Sequence, residues 1–500
     1  MIGHDIFLPA PLPVLSAGTM VMLLAIAWRR SVIRSLVIAV VTLLAALVSV
    51  SHAFGTPPAD GTALFVQDRW AIYTAVLILL SVLCIVFMSW RDLVRDAAHP
   101  TDEYPLLMML GTLGATSMVF SASYMPFFLG VEILGISLMG LIASRHYRFA
   151  QATEAAMKYL ILSGVSSAIL LFGMGLAYGV SGSLAFVPPV AAAGFAPSMA
   201  QVATVMILAG MFFKLSAVPF HMWLPDVMEG APPPIAAFTA VTAKIAIFAS
   251  LVRYFGAGPL PPFLQGVIYA VIILTIMGGN LLALCQNSLT RLMACSSIAH
   301  MGYLLIAFFS PGRLQGGAMT VYLVAYTVST LGVFTIICAC APAMGQDGNR
   351  ITAWKGLFAT NPLPATAMSV MLLSLAGIPP TIGFFAKFEI AGTGVELQRD
   401  VLLLVLVIGS IIGLYYYLNI IRVMMNGGEA PSLSIARQPQ PELTALTIVL
   451  TIIVIMGGLF PGPALYPLLP ATVKTMPARN LTGTPPEAPI MKTAIAPPAL

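Results

Sequence analysis

Residues 213–231 read Phe-Lys-Leu-Ser-Ala-Val-Pro-Phe-His-Met-Trp-Leu-Pro-Asp-Val-Met-Glu-Gly-Ala. An apolar run over 201–219 leads into this stretch, so Lys214 and Pro219 fall inside what would otherwise be one hydrophobic helix. Proline has no amide hydrogen to donate, and its ring clashes with the preceding turn, so the helix breaks there. The pattern Leu215-Ser-Ala-Val-Pro-Phe220 returns as Leu375-Ala-Gly-Ile-Pro-Pro380 in a second apolar stretch. There the lysine, Lys387, follows the break instead of preceding it. Paired breaks in corresponding parts of a membrane chain mark the ion path of inverted-repeat transporters.

Composition agrees with a membrane fold. The 500 residues are 59% hydrophobic and 8% charged, with a mean hydropathy of +0.96. Soluble domains carry about 25% charged residues, and so apolar a surface is not kept in water. A helical span needs about 20 apolar residues. Fourteen such segments are read, over 10–28, 33–53, 70–90, 104–121, 125–144, 153–179, 201–219, 234–255, 263–285, 290–309, 315–343, 363–385, 401–424 and 441–468. Lipid offers backbone amides no partner, and apolar runs without strict alternation favour helices over barrel strands. The expected fold is therefore an all-α polytopic membrane protein of about fourteen transmembrane helices, with helices 7 and 12 broken. An offset of five spans between the two breaks turns the second unit over in the membrane. Spans 4–8 and 9–13 are then two inverted five-helix repeats. The expected organisation is a three-helix segment over 1–100, a first repeat over 101–258 and a second over 259–426. A last transmembrane helix falls in 427–470, and a disordered Pro- and Ala-rich tail in 471–500.

Arginine and lysine set the orientation. Odd-numbered loops carry twelve of them, Arg29, Arg30, Arg34, Arg91, Arg95, Arg145, Arg148, Arg291, Arg350, Lys355, Arg422 and Arg437. Even-numbered loops carry four, Arg69, Arg253, Arg313 and Arg399. The odd loops are thus cytoplasmic, and both termini are placed on the periplasmic side. The N-terminus lacks the basic start of a cleavable signal, so the first span is read as retained. A net charge of +5 with no basic run excludes a grip on nucleic acid. The five cysteines lie in apolar stretches at spacings that match no iron–sulfur or haem motif, and no phosphate-cradling or dinucleotide fingerprint occurs. No cofactor is expected in this chain.

The charges inside the spans carry the functional reading. Glu132 lies mid-way along span five, Lys214 at the break of span seven, Lys244 mid-way along span eight, His300 in span ten and Lys387 past the second break. A charge at mid-bilayer costs roughly 2.5–3.5 kcal/mol on insertion scales. A buried ion pair often only breaks even with an apolar replacement, so stability alone does not keep these groups. A carboxylate that moves relative to a buried lysine changes that lysine's proton affinity. A shift in the Glu132–Lys214 pairing would thus load or release a proton, which Lys244, His300 and Lys387 would pass on. Histidine suits such a relay, because it titrates near neutral pH. Bland readings stand beside this one. Lys387 has a structural partner in reach in Glu389, and His300 is also readable as a packed histidine bonded to a carbonyl. Lys158, about one turn into span six, is a relay candidate or a snorkelling surface lysine. His221, Asp226 and Glu229 follow the first break and either feed protons in or cap and dock.

Several stretches resemble a known family. They are FLGVEILGISLMGLIA over 128–143, EAAMKYLIL over 154–162, FKLSAVPFHMWLPDVMEGAPPPIAAFTAVTAK over 213–244, RLMACSSIAHMGYLL over 291–305, LLSLAGIPPTIGFFAKF over 372–388 and LYYYLNIIRVM over 414–424. They look like the antiporter-like, proton-translocating membrane subunits of NADH-quinone oxidoreductase (respiratory complex I). The lysine at 387 resembles the subunit N branch, since the related subunit M carries glutamate there. The resemblance implies fourteen helices, inverted five-helix repeats and one proton channel. By motif match it gives proton-transfer roles to Glu132, Lys214, Lys244 and Lys387. It implies partners among the other membrane-arm subunits and a bacterial inner membrane, with NADH, FMN, iron–sulfur clusters and quinone in the complex but outside this chain. One departure is Thr290-Arg291, where the family writes Lys-Arg.

Other readings remain open on sequence. A cation/proton antiporter or a membrane-bound hydrogenase uses similar subunits, although a sodium site wants oxygen ligands and the buried groups here are mostly lysines. A quinone-reducing catalytic subunit would need ligands for a redox centre, and none are found. A structural scaffold leaves the buried charges unexplained.

Overall fold

The computed structural model describes residues 9–54, 64–95, 102–144, 151–190, 197–256, 260–309, 313–340, 348–396, 398–426 and 440–460. Its helices are, in order, α1 (Pro11–Trp28), α2 (Val32–Phe54), α3 (Arg69–Arg95), α4 (Glu103–Phe120), α5 (Tyr124–Ala143), α6 (Ala152–Ser181), α7 (Pro197–Leu215), α8 (Trp223–Gly230), α9 (Pro233–Ala240) and α10 (Thr242–Phe255). There follow α11 (Pro262–Leu284), α12 (Leu289–Ile306), α13 (Arg313–Cys340), the single turn α14 (Leu357–Thr360), α15 (Pro362–Ala376), α16 (Ile382–Glu396), α17 (Asp400–Met425) and α18 (Pro441–Leu459). Pairing of extended backbone is limited, among the described residues, to isolated bridges such as Phe65 with Ser121. The described residues form an all-helical fold.

Twelve helices among the described residues are long and apolar enough to cross a membrane. Two of the fourteen segments read from sequence are not among them. The 18-residue α4 carries Glu103 and several small or polar residues, and the twelfth segment is divided into α15 and α16 of 15 residues each. The Pro- and Ala-rich tail, Arg145, Arg148 and Arg437 lie outside the described residues.

Both expected breaks are present. α7 stops at Leu215, and Ser216 takes a left-handed φ of 63°. α15 stops at Ala376, and Gly377 takes φ 84°. A third interruption at Val241 separates α9 from α10 within the eighth segment.

Burial divides the bundle into a centre and a rim. In an 18-residue apolar window of Pro233–Phe255 and of Leu289–Phe309, 94% of the residues are buried, and in that of Gly317–Cys340, 89%. By contrast, in the corresponding windows of α1 and α18, 28% of the residues are buried, and in that of α6, 39%. Helices hydrophobic all round occupy the interior or face lipid. Here the three most enclosed stretches also carry Lys244, His300 and a column of tyrosines. Gly114 and Gly130 let α4 and α5 pack closely, since a Cβ on either would lie 2.7 Å from the other's carbonyl oxygen.

Candidate proton-transfer site

The site begins at the first break. Lys214 ends α7, and its Nζ donates to Ser163 Oγ of α6 at 2.6 Å. The ammonium lies 5.8 Å from the centre of the Tyr159 ring. A Cβ at Gly135 of α5 would sit 3.5 Å from Nζ, in ordinary contact, so the lysine head packs directly against α5. Glu132, one turn away on α5, is near enough to act on Lys214 electrostatically. Its Oε1 is buried without a hydrogen-bond partner. A cavity lined by Gly135, Tyr159, Lys214, Trp223, Ala243 and Ile247 runs from Lys214 to the chain neighbour of Lys244. Thr275 Oγ1 of α11 accepts from the Val218 amide at 3.0 Å, tying the break to the second half of the chain.

The middle of the site lies in the enclosed helices. Lys244 is 1% exposed, and its Nζ donates to Ser297 Oγ of α12 at 2.7 Å. Ser297 Oγ is hydrogen-bonded to Tyr326 OH of α13. His300, one turn beyond Ser297, meets Tyr322 OH at Nδ1 (2.8 Å) and Tyr417 OH at Nε2 (3.3 Å). Tyr417 OH also bonds Ser296 Oγ. Beside this group Asn280 Nδ2 donates to Tyr303 OH at 2.9 Å, and Tyr416 OH donates to Asn280 Oδ1 at 3.1 Å.

The far end is the second break. Lys387 of α16 is buried, and its Nζ donates to the Ala376 carbonyl at the end of α15, 2.8 Å away. The ammonium stands 5.1 Å from the centre of the Tyr303 ring. A second cavity brings His300, Tyr322, Tyr326, Ser374 and Lys387 to one space. One cavity thus reaches Lys214 and the other His300 and Lys387, while hydroxyl groups bond Lys214, Lys244 and His300. Lys244 and Lys387 bond to neutral oxygens, an arrangement suited to giving and taking protons because the bonded partner does not fix the charged state.

Four sequence candidates, Lys158, His221, Asp226 and Glu229, stand elsewhere. Lys158 is bound at the surface to Glu154 (2.7 Å) and to Asp226 (2.9 Å), with 44% of its side chain exposed. Asp226 also pairs with Arg291 at 2.7 Å, and Arg291 with Glu229 at 2.9 Å. Asp226 and Glu229 therefore join α6, α8 and α12 in one ionic cluster. Burial pushes the Asp226 carboxyl up, but the Lys158 ammonium and Arg291 guanidinium outweigh it and hold it below its ordinary value. Arg291, beside the departure at Thr290, is the basic group of that cluster. His221 lies between α7 and α8, with Nδ1 buried and without a partner.

Residues 121–413 match the family described as NADH:quinone oxidoreductase/Mrp antiporter, TM. The chain belongs to this NADH:quinone oxidoreductase/Mrp antiporter family. The matched span holds Glu132, Lys214, Lys244, His300 and Lys387. Among relatives in the family, NADH-quinone oxidoreductase subunit N of Methylococcus capsulatus is 39% identical over 464 residues, covering 91% of this chain and 92% of that protein. Subunit N of Ectopseudomonas mendocina is 39% identical over 418 residues, covering 82% of this chain and 84% of that protein. A chain in the structure of respiratory complex I from Thermus thermophilus with bound aureothin superposes with a TM-score of 0.79 at 29% identity, covering 92% of this chain and 99% of that one.

Sequence reasoning missed the uncharged members of the site, Ser163, Ser297, Tyr322, Tyr326 and Tyr417. A hydroxyl in an apolar helix is common and carries no charge signal. The usable signal was spacing: Ser296, Ser297 and His300 share a helical neighbourhood, as do Tyr322 and Tyr326.

Proposed function

We propose that this chain is the proton-translocating membrane subunit of an NADH-quinone oxidoreductase, of the subunit N type. Protons pass between Glu132–Lys214, Lys244 and Lys387, with His300 beside the path. The observation that carries this reading is the placement of Lys244, His300 and Lys387 in the enclosed centre, 1%, 4% and 8% exposed, with hydroxyl and carbonyl oxygens as bonded partners. Charge there is expensive to insert, and proton exchange gives it a reason to persist. The high identity to subunit N relatives favours an NADH-linked complex over a free-standing antiporter. Electron transfer from NADH through FMN and iron–sulfur clusters to quinone belongs to other subunits of such a complex. This chain supplies proton movement, joined to other membrane-arm subunits in a bacterial inner membrane. Glu132 tunes Lys214, and the Lys214 cavity passes the proton towards Lys244. Lys158, His221 and Asp226 sit towards the cytoplasmic mouth and act on access.

The test is NADH-driven proton uptake in membrane vesicles carrying Lys214→Ala or Lys244→Ala. Uptake per NADH oxidised is expected to fall several-fold while the assembled complex is recovered in normal amount. Assembled variants that pump at the unaltered stoichiometry would sink the relay.

A further inference from the structure

The hydrogen bonds around Tyr326 have a forced direction. Tyr326 OH lies 2.8 Å from the Ala240 carbonyl oxygen, which only accepts. A phenol has one proton to donate, so the Tyr326 oxygen must accept in its bond to Ser297. Ser297 therefore donates to Tyr326. Its oxygen in turn accepts from Lys244, whose ammonium only donates. Three donors thus point the same way, from Lys244 to Ser297 to Tyr326 to Ala240. The file ends on a backbone carbonyl that does not take up a proton. That carbonyl is at the Val241 interruption, where α9 ends. Tyr326 is also a wall of the cavity that holds Lys387. His300 is placed differently, because Tyr322 and Tyr417 occupy its two ring nitrogens.

We propose that Tyr326 is the relay residue between Lys244 and Lys387, with the Ala240 carbonyl as its resting partner and gate. The inference rests on the relay reading above and specifies its central step. When the Tyr326 hydroxyl turns from Ala240 to the cavity, the Lys244 ammonium gives a proton to the Ser297 oxygen. Ser297 passes its own hydroxyl proton to Tyr326. Tyr326 releases its phenolic proton to water in the cavity, and that water protonates the Lys387 amine. Lys244 ends as an amine and Lys387 as an ammonium, each hydroxyl again holds one proton, and no phenolate forms. The hydroxyls then turn back, and Tyr326 returns to Ala240. Leakage is blocked while Tyr326 rests on a group that cannot be protonated.

The experiment compares Tyr326→Phe, Ser297→Ala, Lys244→Ala and Tyr73→Phe in the whole complex. It measures NADH-driven proton uptake, NADH oxidation and the amount of assembled complex. Tyr73 is the control: its buried hydroxyl also donates to a carbonyl of α13, that of Thr320 at 3.2 Å, but away from the file. Proton uptake per NADH is expected to drop tenfold or more for Tyr326→Phe and Lys244→Ala and to stay within twofold for Tyr73→Phe. Normal uptake in Tyr326→Phe beside lost uptake in Lys244→Ala overturns the Tyr326 route and leaves the relay standing. Normal uptake in Lys244→Ala removes the relay itself. Loss in Tyr73→Phe equal to that in Tyr326→Phe also overturns the route, because any missing buried hydroxyl would then suffice. Where Tyr326→Phe does not assemble, Ser297→Ala cuts the same file one step earlier; retained uptake there overturns the proposal and lost uptake supports it.

Discussion

Gly377 shows how far a single position controls the chemistry. Its φ of 84° is left-handed, and a Cβ there would stand 2.7 Å from Lys387 Cδ. Alanine in that conformation costs roughly 1–2 kcal/mol, and the lysine stem would also have to move off the Ala376 carbonyl. Gly377→Ala is expected to lower the melting temperature of the purified complex and to reduce proton uptake several-fold. Gly175→Ala, into open space on α6, should change neither. Glu132 offers a second residue-scale test. Its buried Oε1 has no hydrogen-bond partner, so Glu132→Gln keeps the shape and removes only the charge that acts on Lys214. Assembly should survive, and uptake per NADH should fall; a variant that pumps normally would show that the carboxylate does not tune the lysine. The charged residues were legible in the sequence because a lysine in hydrocarbon is costly and so stands out. Their hydroxyl partners were not, because serine and tyrosine in a membrane helix carry no comparable penalty, and the contacts join positions such as Lys244 and Ser297 that are far apart in the chain.

At the scale of elements, proline made two of the three breaks readable and tertiary contact made the third. Pro219 and Pro379-Pro380 interrupt apolar runs and have visible consequences in α7 and α15. Residues 239–242, Thr-Ala-Val-Thr, hold no proline or glycine, and the eighth segment reads as one helix. Its carbonyl at Ala240 instead finds a partner on α13, a relation that local pattern does not carry. The ionic staple between elements was equally hidden. Arg253 near the end of α10 makes a two-pronged contact with Asp68 at 3.0 and 2.9 Å, and its Nε donates to the Val119 carbonyl at the end of α4. Asp68 also accepts from the Ala71 amide at the start of α3. In the sequence both charges read as ordinary loop residues, yet their side chains are 11% and 14% exposed. Removing one partner of a buried pair strands the other, at about 3 kcal/mol. Asp68→Ala should therefore lower the thermal transition of the solubilised complex clearly. Asp68→Asn, which keeps the cap on Ala71, should lower it less. Equal transitions for both variants and the unaltered protein would show that the staple contributes nothing.

The whole molecule places its orientation and its relay under one constraint: the ends of the proton path must open to opposite sides. Twelve arginines and lysines in odd-numbered loops against four in even-numbered loops give the expectation that the odd loops are cytoplasmic. On that orientation the α6–α8–α12 cluster of Lys158, Asp226, Glu229 and Arg291 would lie at the cytoplasmic face. α6, Ala152–Ser181, is long and apolar enough to cross a membrane, so Gln151 and Val187 are expected on opposite sides of it. Both side chains are exposed. Gln151→Cys and Val187→Cys can thus be read with a membrane-impermeant maleimide, in a background where the exposed Cys285 is replaced by serine. In inverted vesicles Gln151→Cys should react and Val187→Cys should not; in spheroplasts the pattern should reverse. A reversed result would turn the molecule over and place the ionic cluster at the periplasmic face. The side of the path next to that cluster would then open to the periplasm, so the direction assigned to the relay would fall even if every buried lysine proved essential.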